Sequence, residues 1–67
     1  MIIWVLDCAT ITCTKIRLSD ERAKEMEEVF DDCVEEFLYM HEKELGINMN
    51  YCSWMVTCED NYKEMNF

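Results

Sequence analysis

Between Ser19 and Leu45 the apolar residues return at helical intervals, and this stretch limits what the chain can become more than any other. Ala23, Met26, Phe30, Cys33, Phe37 and Met40 follow steps of three, four, three, four and three. Val34, His41 and Leu45 widen that stripe on one flank and Val29 on the other, the pattern of a helix laid on a core. Ser19 suits an N-cap, because its hydroxyl can accept from an orphan amide of the first turn. Asp20 and Glu21 then sit where the helix dipole favours negative charge. Arg22 stands where a capping box needs Glu or Gln, so the box is absent. Gly46, the only glycine in the chain, falls where a left-handed residue after a helix is wanted. The spacing predicts one continuous helix from Ser19 to Leu45.

The opposite face of that helix is acidic. Glu21, Glu25, Glu28, Asp32, Glu35 and Glu42 also advance at helical steps, with Glu36 beside them. At 1.5 Å per residue they form a ridge roughly 30 Å long with a carboxylate every ~5–6 Å. Eleven of the fifteen acidic residues lie between Asp20 and Glu44, against Arg22, Lys24 and Lys43, which leaves −8 of the net −9 on this element. The pairs Glu21/Lys24 and Lys24/Glu28 relieve the repulsion by only a few tenths of a kcal/mol each. A surface of this sign repels phosphates, so direct nucleic-acid binding is not expected. It attracts proteins whose grooves are lined with Lys and Arg. The bland alternative is a solvated helix face that only confers solubility.

Sixty-seven residues make a single domain, 1–67, with a modest core: a chain this short buries only about 60% of its unfolded surface. The apolar share of 51% argues against disorder. Ile2 to Leu6 is an uninterrupted apolar run that suits a strand covered on both faces. It lacks a basic flank and is ended by Asp7, so it reads as neither a leader nor a membrane span, and a cytoplasmic protein is expected. Asp7 to Ala9 turns the chain. Thr10 to Leu18 is a second strand, an edge guarded by Lys15 and Arg17, with a bulge or twist near Thr14 or Lys15. Tyr51 to Cys58 is a third strand, and the tail from Glu59 to Phe67 reads as a helical turn packing back or a short fourth strand.

The resulting fold is α+β, ββαβ, with sheet order 2-1-3 and the helix on one face. The first strand becomes central, in agreement with its two-sided apolarity. The uncovered sheet face exposes some of Ile2, Trp4, Leu6 and Trp54, depending on register. A homodimer, another partner or the tail would cover it.

Cys8, Cys13, Cys33, Cys52 and Cys58 are odd in number and contain no Cys-x-x-Cys. They read as free thiols acting as small hydrophobes in the core, with no metal and no cofactor. A small metal or redox protein using Cys8, Cys13, Cys52, Cys58 and His41 is a third alternative. His41 reads as half-buried and structural, paired with Glu42 or Glu44. No phosphate loop, EF-hand or HExxH motif is present, and no catalytic role is expected.

In size, charge and the acidic helix Asp20 to Glu44, the chain resembles the small, phage-encoded inhibitors of host defence that include many anti-CRISPR proteins. That resemblance rests on no motif and carries over no residue. It implies a phage or mobile-element protein that acts in the host cell by mimicking nucleic-acid phosphates. The implied partner is a basic, nucleic-acid-binding protein such as a CRISPR-Cas effector. From the acidic helix face itself, and not from the resemblance, the partner-binding residues are expected to be Glu21, Glu25, Glu28, Asp32, Glu35, Glu36 and Glu42. The alternative reading is a homo-oligomeric interaction module with Trp4 and Trp54 at the contact.

Overall fold

The computed structural model describes residues 1–59 and 62–66. Strand β1 (Ile2–Asp7) is followed by β2 (Thr12–Arg17), three helical segments α1 (Asp20–Phe30), α2 (Val34–Met40) and α3 (Glu42–Leu45), a 3₁₀ turn Met49–Tyr51 and strand β3 (Cys52–Thr57). The sheet runs β2-β1-β3, both pairings antiparallel. β1 is central because it alone is apolar enough to be flanked on two sides. Ile3 and Val5 are completely buried, and Met26, Phe37, Leu38, Ile47 and Met49 cover them.

The expected single helix is three. Asp31 and Asp32 both adopt left-handed backbone, at φ 53° and 60°. The amides of Asp31 and Asp32 both donate to the Met26 carbonyl, and Cys33 N–H donates to Phe30, so the end of α1 is closed off locally. Aspartate tolerates this conformation better than most residues and is a weak helix former. The physical reason for the break is length. A continuous helix would run ~40 Å, whereas strands of six residues span only ~20 Å. Turning at Asp31–Asp32 brings the second half back over the sheet. Glu25 and His41 would stand ~24 Å apart on a straight helix, yet their side chains meet at 2.9 Å.

The break also changes which residues are core. Leu38, outside the helical stripe, is fully buried, while Met40, on it, is 71% exposed. Val29 is exposed as well. The two ends of the helical stretch behave as expected: Ser19 Oγ accepts from Arg22 N–H at 3.2 Å, and Gly46 has φ 69° at the end of α3.

The β1–β2 pairing runs without interruption from Ile2↔Arg17 to Asp7↔Thr12, so the expected bulge near Thr14 or Lys15 is absent. The apparent switch of face disappears because Ile11 belongs to the turn and not to the strand. That turn is organised by Asp7, whose buried carboxylate accepts from Ala9 N–H at 2.8 Å and Thr10 N–H at 3.2 Å. Ile11 itself is 92% exposed at φ 56°, a conformation that costs a residue with a Cβ about 1–2 kcal/mol. Ile11→Gly should therefore raise the melting temperature by several degrees, since ~1 kcal/mol shifts a domain of this size by about 4–8 °C. Differential scanning calorimetry would show it, and a lower melting point would contradict this account of the turn.

Candidate functional site

Two surfaces compete for a function, one on each side of the molecule. The first is the helical layer. Glu21, Glu28, Asp32, Glu35 and Glu36 are exposed there, as are Glu27 and Asp31. They lie on α1, on the turn that follows it and on α2, so they form a patch on two segments, not one straight ridge. Lys24 Nζ lies 4.0 Å from Glu28, in a pair that is largely open to solvent.

Glu25 is withdrawn from that patch. Its carboxylate lies 3.2 Å from Arg22 Nη1 and 2.9 Å from His41 Nε2. Arg22 Nη2 donates to Glu44 at 3.0 Å, and His41 Nδ1 lies 3.6 Å from the same Glu44 oxygen. These four residues clip the start of α1 to the end of the helical layer. The His41 ring packs on Phe37, with centroids 4.6 Å apart, and Phe37 meets Phe30 edge-on at 5.7 Å. His41 is thus held within the helical layer, and its nearest partner is Glu25, sixteen positions away, with Glu44 farther off. Glu42, expected on the ridge, is half-buried at the start of α3.

Burial acts to raise the Glu25 carboxyl. The hydrogen bonds from Arg22 and His41, with their charges, outweigh it and hold the group below its ordinary value of 4.5. A carboxyl lowered by folding stabilises the fold above its unfolded value, and that contribution is lost as pH falls through the lowered one. Glu25→Gln should accordingly melt below wild type at pH 7 and converge with it in acid, under pH 4.5. The difference should be modest and shrink with salt, because the network is partly solvated. A gap that is unchanged in acid would refute the clip.

The second surface is the sheet face away from the helices. Cross-strand partners share a face, so Ile3, Val5, Val56 and Trp54 belong to the helix side. Ile2, Trp4, Leu6, Cys13, Lys15, Arg17, Ser53, Met55 and Thr57 belong to the other. Trp4 and Trp54, expected together at one contact, thus project from opposite faces. A groove of about 760 Å³ crosses the outer face between Leu6, Cys13, Ser53 and Met55, walled by Trp4 and Tyr62. Trp54 also borders it, as the edge-strand residue between Ser53 and Met55. Trp4 is fixed by its indole N–H donating to Thr57 Oγ1 at 2.8 Å and by Lys15 Nζ 5.5 Å above the ring. Residues 62–66 carry neither helix nor strand, and the expected packing of Phe67 lies outside the described residues.

Cys8, Cys13 and Cys58 are exposed, so the reading of all five thiols as core hydrophobes survives only for the half-buried Cys33 and Cys52. Burial pushes the Cys52 thiol up, and the neighbouring Asp7 carboxylate adds to the effect, which works against thiolate chemistry. Among the described residues no group of three or more His, Cys, Asp or Glu is placed to hold a metal ion, and no helix is long and apolar enough to cross a membrane. No protein-family model matches the chain, and comparison with curated proteins and with solved structures finds no match.

Proposed function

We propose that the protein is a non-enzymatic inhibitor that binds a basic, nucleic-acid-handling protein through its helical layer, with carboxylates standing in for phosphates. The observation that carries this reading is the segregation of charge. Glu21, Glu27, Glu28, Asp31, Asp32, Glu35 and Glu36 are all exposed on that layer, while none of the nine outer-face positions of the sheet is acidic. The exposed carboxylates are spread over α1, the Asp31–Asp32 turn and α2. The resemblance to phage-encoded anti-defence inhibitors, CRISPR-Cas inhibitors among them, supports the same reading. On this reading the protein acts in the host cytoplasm.

Such contacts displace counterions from the partner, so binding should fall steeply with salt and yield to competing DNA or RNA. The test compares wild type with the triple variant Glu28→Lys, Asp32→Lys, Glu35→Lys as affinity bait for the nucleic-acid-binding proteins of a host lysate. Wild type should retain a protein that the variant loses and that excess DNA or ~0.5 M salt releases, where the Debye length has dropped to about 4 Å. The variant should stay folded, because it removes three exposed like charges. If the folded variant retains the same proteins, binding by this layer is wrong.

A further inference from the structure

The two edges of the sheet present different backbone groups and different side chains. Cys8 N–H donates to the Tyr51 carbonyl at 3.0 Å, just past one end of the β1–β3 ladder. Leu18 N–H donates to the Met1 carbonyl at 3.3 Å, just past one end of the β1–β2 ladder. Both ladders run without a bulge, and hydrogen-bonded pairs alternate along an antiparallel ladder. Ser53, Met55 and Thr57 therefore turn their amides and carbonyls toward β1, while Cys52, Trp54 and Val56 turn theirs away from the sheet. The Cys52 amide fits this alternation, since it donates to the Met49 carbonyl. On β2 the outward residues are Cys13, Lys15 and Arg17.

We propose that β3 receives an extended, basic segment of a partner protein as a fourth strand, held by the outward backbone groups of Trp54 and Val56. The edge itself specifies an extended backbone, because its donors and acceptors recur at strand spacing. Native edges are blunted by charged side chains, prolines or bulges. β2 has Lys15 and Arg17 at outward positions, whereas β3 (Cys52–Thr57) has no charged residue, no proline and no bulge. Among the described residues no strand pairs with its outer side, and residues 62–66 form none.

Charge selects the chemistry of that segment. Trp54 and Val56 pair with Val5 and Ile3, so they share the side of the sheet that carries the helices and their carboxylates. Residues of an added strand aligned with Trp54 and Val56 fall on that same side. Lys or Arg there enters the field of a chain of −9 and can stack on the Trp54 indole, which is 38% exposed. The residue between them lies beside Met55, which is 59% exposed, and is apolar. A second copy fits poorly. Antiparallel pairing of β3 with itself has its two-fold axis normal to the sheet, which puts two acidic helical layers on one side. This contact uses other groups than the acidic patch and shares with the reading above only a basic partner.

Residue-resolved hydrogen exchange tests this with a synthetic peptide that alternates Lys and Val and is as long as β3, against a matching Glu/Val peptide. In the protein alone, the Trp54 and Val56 amides should exchange fast and those of Met55 and Thr57 slowly. The Lys/Val peptide at ~1 mM should slow Trp54 and Val56 about tenfold, and the Glu/Val peptide should not. Trp54→Pro removes an outward donor and no bond of the β1–β3 ladder, so it should abolish the protection of Val56. Trp54→Val keeps that donor and should retain the protection at a higher peptide concentration. The triple lysine variant of the helical layer should retain it in the same way. Slow exchange of Trp54 and Val56 without peptide would mean that the tail or a second copy already covers the edge, and overturns the proposal. So does fast exchange of both at ~1 mM Lys/Val peptide, equal protection by the two peptides, or undiminished protection of Val56 in folded Trp54→Pro. Loss of all protection in the triple lysine variant overturns it too, because the peptide would then be held by the carboxylates alone. Should Trp54→Pro fail to fold, the exchange pattern of the wild type and of Trp54→Val still decides.

Discussion

Leu38→Ala is expected to remove a large share of the stability of the fold. Leu38 is fully buried against the sheet, among Phe37, Met26 and Val5 of the same core. Truncating such a residue removes its transfer free energy and opens a cavity, costing about 2–5 kcal/mol. A chain of this length has only ~3–10 kcal/mol of total stability to lose. Met40→Ala, two positions along the same segment, should cost under ~0.5 kcal/mol, because Met40 is exposed and surface changes of this kind are nearly neutral. Urea denaturation of both variants would measure the contrast. It also tests the break in the helix, since a continuous helix would seat Met40 on the sheet and turn Leu38 off the stripe. Equal costs at the two positions would contradict the fold described here.

Asp7→Leu should be the most damaging change at a polar position. The Asp7 carboxylate is buried, and it satisfies the amides of Ala9 and Thr10 where the chain leaves β1. An apolar side chain of similar size orphans both donors at the edge of the core, at a cost of about 1–3 kcal/mol for each one left dry. Asp7→Asn keeps an oxygen acceptor in the same place and should recover most of that loss, because Asn forms the same local turn. Hydrogen exchange of Ala9 and Thr10 would localise the effect, with fast exchange in the leucine variant and protection in the asparagine one. Protection retained in both would mean that the turn is held by something other than Asp7.

The Asp7 turn and the left-handed Asp31–Asp32 pair show where local signals stop. The hairpin lacks the Gly or Asn that usually announces a tight turn, and a single carboxylate with two amide partners does the work instead. The aspartate pair sits inside an unbroken three-and-four periodicity, so the phase of the apolar residues carries no mark of the reversal. A sequence pattern reports which residues share a face within one segment. It does not report how long a helix the neighbouring sheet can support.

The candidate site follows the same division. That the acidic residues would be exposed and concentrated on the helical stretch is visible in the sequence, since a helix with one apolar face has nowhere else to put them. That Glu25 would be drawn into a clip with Arg22, His41 and Glu44 is not, because those contacts join residues up to 22 positions apart and exist only once the helix has folded back. Similarly, alternation along β1 and β3 sorts Trp4 and Trp54 onto faces of their own strands. Only the pairing of Val5 with Trp54 and of Trp4 with Met55 decides that the two faces are opposite.

Residue chemistry alone sufficed for the order strand, strand, helical stretch, strand, for the central place of β1, and for the start of the helical layer at Ser19 and its end at Gly46. Each of these depends on properties that a residue carries with it: apolar bulk, a capping hydroxyl, a missing Cβ. The break at Asp31–Asp32, the burial of Leu38 in place of Met40 and the opposite register positions of the two tryptophans emerge only when the segments pack together. These depend on lengths and registers shared between segments, and a left-handed aspartate pair is stable only because burying Phe37 and Leu38 over a 20 Å sheet outweighs its local cost.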